Sequence, residues 1–194
     1  MDKGGNDKRV PFRKNQMTEK IIIAGAGGQG IMLIGRVLAE ADMREDIYVT
    51  WLPSYGAEMR GGTDHCMVVV SDAEIGSPYI QEADTLIVMN APSLKKFNHR
   101  IKNKGLFIIN SSLASSDAGI DKSIHILKYP FTDIAIKLGN IKVANTVALG
   151  CFIAQKNIID LKSVSRVIQE IVPEDKKDLI EINQKALLEG ARLR

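Results

Sequence analysis

The stretch Lys20-Ile21-Ile22-Ile23-Ala24-Gly25-Ala26-Gly27-Gly28-Gln29-Gly30 decides the fold. A short apolar run that stops at glycines is the mark of a buried strand. Residues 29–41 then carry apolar side chains at 31, 33, 34, 37, 38 and 41, which is helical spacing. Gly25-Ala26-Gly27-Gly28-Gln29-Gly30 fits G-x-G-x-x-G between that strand and that helix, the context the motif requires. Glycine permits the unusual dihedrals and close backbone approach of such a turn. The helix N-terminus also offers free N–H groups and a partial positive charge, which suit an anion.

Working outward, residues 47–52 read as a second strand, 53–62 as a loop with three glycines, and 65–71 as a third strand. Residues 72–78 form a turn and connection. Residues 85–90 are a fourth strand entering a short helix over 93–101. Residues 106–110 and 124–129 are a fifth and a sixth strand, the latter ended by Pro130, and 134–138 a short helix. Strands alternating with helices through this region predict an α/β fold. The expected form is a Rossmann-like three-layer sandwich, a mostly parallel sheet with helices on both faces. Residues 143–156 are apolar nearly all round, as in a buried or interface helix. Residues 161–171 and 174–193 are amphipathic helices parted by Pro173, and Glu174 and Asp175 in the first turn of the second complement its dipole.

Residues 1–17 are polar, with Gly, Pro and no periodicity, and read as a disordered tail before a single domain over 18–194. Met17 is a candidate functional start. The net charge of +3 gives no case for nucleic acid, because the basic residues are scattered and several lie in the tail. No apolar signal segment and no membrane-length apolar run appear, so the expected location is cytoplasmic. Cys66 and Cys151 each lie in an apolar run and match no metal or redox spacing, which reads as two buried core residues in a reducing compartment. An iron–sulfur cluster needs about four cysteine ligands, so this chain cannot hold one by itself.

The dinucleotide reading of the glycine loop weakens at the second strand. A Rossmann site wants an acid there for the ribose hydroxyls, and IYVTWL runs into Pro53-Ser54. Two readings remain open. In one the glycines serve strand–helix packing alone. In the other Gly25, Gly27, Gly28, Gln29 and Gly30 touch an anion such as part of coenzyme A.

Trp51-Leu52-Pro53-Ser54-Tyr55-Gly56-Ala57-Glu58-Met59-Arg60-Gly61-Gly62-Thr63 is the most unusual segment. Ser54, Tyr55, Glu58, Arg60, Gly61 and Gly62 form either a partner or ligand loop at a strand's carboxyl end, or a surface loop covering the core. Arg60 could grip a phosphate or carboxylate through two bonds.

These segments in order resemble the gamma subunit of 2-oxoacid:ferredoxin oxidoreductases. The match continues through Gly35-Arg36-Val37-Leu38-Ala39, Val68-Val69-Val70-Ser71-Asp72, Ile75-Gly76-Ser77-Pro78 and Met89-Asn90-Ala91-Pro92-Ser93-Leu94, covering about residues 20–155. The resemblance implies oxidative decarboxylation of a 2-oxoacid, acyl transfer to coenzyme A and reduction of ferredoxin. It implies thiamine diphosphate between alpha and beta partners, iron–sulfur clusters on beta and delta partners, and no cofactor in this chain, which would be inactive alone. Residues 86–94 look closer to the 2-oxoglutarate type than to the pyruvate type. A homodimer is plausible for the isolated chain. The competing reading is a self-contained NAD(P)- or nucleotide-binding Rossmann protein.

His65, His99 and His125 show no metal spacing. His65 reads as a partly buried structural imidazole and the other two as surface residues. Asp64 and Asp84 suit strand ends and turns, and Ser111-Ser112 and Ser115-Ser116 lack a nucleophile-elbow pattern. No residue is assigned as catalytic.

Overall fold

The computed structural model describes residues 17–56, 63–114, 119–172 and 177–193. The expected tail before Met17, the sites Glu58, Arg60, Gly61 and Gly62, Ser115-Ser116, and the Pro173-Glu174-Asp175 helix start lie outside the described residues.

The chain opens with β1 (Thr18–Ala26), α1 (Ile31–Met43), β2 (Tyr48–Ser54) and β3 (Thr63–Ser71). It continues through β4 (Ala83–Val88), α2 (Ala91–Phe97), a 3-10 turn at Asn98–Arg100 and β5 (Ile101–Asn110). β6 (His125–Tyr129), α3 (Phe131–Lys137), α4 (Ala144–Lys156), α5 (Leu161–Ile171) and α6 (Lys177–Ala191) complete it. One six-stranded sheet runs in the order β2-β3-β1-β4-β5-β6. β1, β4, β5 and β6 are parallel neighbours, while β3 runs antiparallel to both β1 and β2. The sheet is therefore mostly parallel, and β3 is its one reversed strand.

Among the boundaries that differ from the sequence reading, two adjoin β5. The helix expected over 93–101 ends at Phe97, with a 3-10 turn behind it, and Ile101 already belongs to β5. The strand expected to begin at 106 starts five residues earlier because the pairing shifts register between Ala83 and Thr85. Lys104 adopts a positive φ of 63° in this irregular stretch, so Lys102-Asn103-Lys104 looks like a turn although it sits inside a strand.

Strand alternation divides the apolar side chains between the two faces. Ile21, Ile23, Cys66, Val68, Ile87 and Ile108 face a large cluster built with α1, α3, α4, α5 and α6. Ile22, Ala24, Met67, Leu86, Val88 and Phe107 face a smaller one with Leu94 and Phe97 of α2 and with Ile80. Helices thus occupy both faces, five against one. The mostly apolar α4 is buried from Ala144 to Ile153 within this chain's own core. Gly150 and Gly190 let α4 and α6 cross backbone to backbone. A Cβ at Gly150 would collide with the Leu187 carbonyl oxygen, and one at Gly190 with that of Val147.

Candidate functional site

β1 and β2 point the same way, since each is antiparallel to β3. Their carboxyl-end loops therefore leave from one end of the sheet. Gly25 pairs opposite Asp64, Ala26 opposite Thr63, and Ser54 opposite His65. The junction is fastened by Asp64, whose Oδ1 accepts the Gly56 N–H at 3.0 Å. Its other oxygen lies 3.4 Å from where a Gly27 Cβ would stand. Asp64 is thus a strand-end residue that clips the second glycine segment against the first. Tyr55 is exposed beside it.

Within the first loop the glycines divide into two kinds. A Cβ at Gly25 would come within 2.6 Å of Ile31 Cδ1 and 2.7 Å of Gln29 Oε1. Gly30 has φ 69°, and a Cβ there would collide with the Asn145 amide, whose Nδ2 donates to the Gly30 carbonyl at 3.0 Å. These two serve internal packing. Gly27 and Gly28 are exposed, and nothing lies within 4 Å of a Cβ built on Gly28. They form the open lip of the loop.

β1 leads to α1 on one face of the sheet, and its parallel neighbour β4 leads to α2 on the other. The crevice between the carboxyl ends of two such strands is where open α/β sheets place ligands. Here Gln29 fills it. Its Oε1 accepts the Ala26 N–H at 2.7 Å, and its Nε2 donates to the Met89 carbonyl at 3.4 Å. Asn110, at the end of β5, donates to the same carbonyl at 3.1 Å and to Thr132 Oγ1 at 2.8 Å. A belt of amides therefore ties the carboxyl ends of β1, β4 and β5 to the head of α3. Asn110, Thr132 and Asn145 are buried. Sequence reasoning did not single them out, since isolated polar residues at strand and helix ends carry no pattern.

This arrangement counts against a dinucleotide site. β4, the parallel neighbour of β1, ends in Val88-Met89-Asn90 and offers no carboxylate, while β2 is separated from β1 by β3. The narrow cleft between α1, α4, α5 and α6 has a volume of about 20 Å³, room for about one water molecule.

His65 stacks at a tilt on Phe97, with ring centroids 4.8 Å apart. Burial, then the charges of Lys96 and Arg100, hold its pKa below the ordinary value. His99 and His125 are exposed. Burial pushes the Cys66 thiol up to about 12 and the Cys151 thiol up to about 11, so neither offers a thiolate ligand. Among the described residues no group of three or more His, Cys, Asp or Glu could hold a metal ion. No helix among them is long and apolar enough to cross a membrane.

Residues 20–193 match the family model described as pyruvate ferredoxin/flavodoxin oxidoreductase. The chain belongs to this family. It is 34% identical over 184 residues to the 2-oxoglutarate synthase subunit KorC of Methanocaldococcus jannaschii, covering 90% of this chain and 93% of that one. It is 35% identical over 173 residues to the ketoisovalerate oxidoreductase subunit VorA of Methanothermobacter thermautotrophicus, covering 89% of this chain. The chain spans about a third of VorA's length, 35%. A crystal structure of the keto/oxoacid ferredoxin oxidoreductase gamma subunit from Geobacter sulfurreducens superposes with a TM-score of 0.80 at 26% identity, covering 91% of this chain and 96% of that one. Within the family, the chain is of the gamma-subunit type.

Proposed function

We propose that this chain is the gamma subunit of a multi-subunit, thiamine-diphosphate-dependent 2-oxoacid:ferredoxin oxidoreductase that converts 2-oxoglutarate to its acyl-coenzyme A and CO2. The observation that carries the reading is the near end-to-end match to a stand-alone 2-oxoglutarate synthase subunit. Four KorC relatives lie at 30–36% identity, against 25% for a pyruvate synthase PorC. The matching ketoisovalerate subunits make 2-oxoisovalerate the substrate to test beside it.

In this reading thiamine diphosphate, held by alpha and beta partners, supplies the decarboxylation chemistry, and clusters on beta and delta partners carry electrons to ferredoxin. This chain's part is to present a shaped edge. The amide belt fixes the rim from behind. The lip at Gly27 and Gly28, with Ser54 and Tyr55, faces the catalytic partner and borders the coenzyme A path. Glu58, Arg60, Gly61 and Gly62 extend the same loop. Residues 18–194 act as one unit of the assembly in the cytoplasm.

The test is co-expression with the partner chains, followed by copurification and an oxoacid screen with a dye acceptor. Recovery of a thiamine-diphosphate enzyme that prefers 2-oxoglutarate and needs this chain is the expected result. A lone chain that binds NAD(P) would overturn the reading.

A further inference from the structure

Outside residues 1–16 the chain is electrically neutral, because that segment holds five Lys or Arg against two Asp and so accounts for the whole net charge of +3. Against this neutral background one segment stands apart. Residues 85–114 contain Lys95, Lys96, Arg100, Lys102 and Lys104 and no acid at all. They build most of β4, the 3-10 turn, β5 and α2, and α2 packs on the thinly covered face of the sheet. Among the described residues Lys102 is neutralised by Asp84 at 2.6 Å. Among the described residues Lys95, Lys96 and Lys104 form no ion pair, and all three are exposed.

The patch is rigid as well as basic. Arg100 donates to the Gln81 carbonyl at 3.2 Å and to that of Ile80, which fixes its guanidinium 5.4 Å from the centre of the Tyr79 ring and 6.0 Å from that of Phe97. Lys96 lies 5.6 Å from the centre of Phe97. Tyr79 is 60% exposed beside this fixed cation. An exposed Tyr with an immobilised Arg is the composition that dominates protein-interface energetics, and little side-chain entropy is left to lose on binding. Lys104 holds a left-handed conformation that Gly or Asn would take with less strain. The unneutralised field already reaches His65, whose pKa Lys96 and Arg100 help to depress.

We propose that the face carrying Lys95, Lys96, Arg100 and Tyr79 is a docking surface for an acidic protein. The inference rests on the reading of this chain as one subunit of an assembly. Nucleic acid fits less well, because binding it calls for a basic balance over the domain as a whole, and the body here is neutral. Charge complementarity of this kind sets association rate and orientation, and salt weakens it.

The test uses the assembled enzyme with its acceptor protein present. Carbodiimide joins amines to carboxylates at zero length, and mass spectrometry maps the joined peptides. The expected result is linkage of Lys95 or Lys96 to Asp or Glu of another chain. The Lys95→Glu/Lys96→Glu variant should lose these links, weaken that association at least tenfold at low salt, and flatten its salt dependence. Lys95→Ala/Lys96→Ala should fall between, and unchanged melting of both variants would show that the fold is kept. Links confined to this chain, an unchanged salt dependence, or retention of RNA in place of protein would overturn the proposal. A chain that assembles normally yet shows no such links sinks this inference alone. A chain that enters no assembly sinks the subunit reading with it.

Discussion

Asn145, at the head of α4, holds the carbonyl of Gly30 at 3.0 Å across 115 residues of sequence. Its own Oδ1 accepts the Thr146 N–H at 2.8 Å, so both ends of the buried amide are engaged. The glycine loop is therefore braced from the helical layer as well as from β1.

Replacing Asn145 by Ala leaves the Gly30 carbonyl without its donor and should cost about 1–3 kcal/mol. Gly30→Ala adds a positive-φ penalty to the collision with Asn145 and should cost at least as much. Urea unfolding of the two single variants and the double variant measures both. Additive effects would show that the two residues do not act through each other.

The α4–α6 crossing should tolerate nothing larger than glycine. Gly190→Ala, or Gly150→Ala, forces the helices apart along a closely packed contact, and overpacking of this sort costs about 1–3 kcal/mol. Thermal melting should fall for either variant. An unchanged melting temperature would mean that α6 can move away freely.

Asp42 is fully buried on α1 and neither carboxylate oxygen has a hydrogen-bond partner. Burial, then Glu45, push its pKa from 3.8 to about 8. The folded state keeps the proton that the unfolded chain releases, so this group lowers stability as pH climbs from about 4 to about 8. The loss approaches about 1.4 kcal/mol per pH unit within that window. Asp42→Asn should therefore match the parent protein near pH 4.5 and exceed it in melting temperature by a growing margin up to pH 8. A constant margin across that range would contradict a protonated carboxyl.

Both thiols should be silent in the native state. With pKa values of about 12 and 11, Cys66 and Cys151 hold almost no thiolate at pH 8 and are buried besides. A thiol reagent should titrate neither in buffer and both in denaturant.

Much of this was legible in the residues. The apolar runs at Ile21-Ile22-Ile23 and Val68-Val69-Val70 announce strands covered on both faces, and the apolar run from Val147 to Ile153 in α4 announces burial on all sides. The reversed direction of β3 was harder to read. β2 and β3 are consecutive antiparallel neighbours, but the glycines of residues 53–62 drew attention to ligands first. The amide belt was not legible, because Gln29, Met89, Asn110 and Thr132 meet only through the sheet order. Gln29 entered as one letter of a glycine motif, and its side chain turned out to occupy the crevice the motif suggests.

β1 is paired along its whole length with β3, and from Ile21 to Ala24 it is paired with β4 as well. Those four residues have no free edge and no exposed face. Their amide protons can meet deuterium only when the sheet itself comes apart, so their exchange clock should run at the pace of global unfolding. Gly27 and Gly28, a few residues further on, should exchange at once. A single short peptide would then span the two extremes of the molecule's stability, the domain's deepest anchor beside the open lip of its glycine loop.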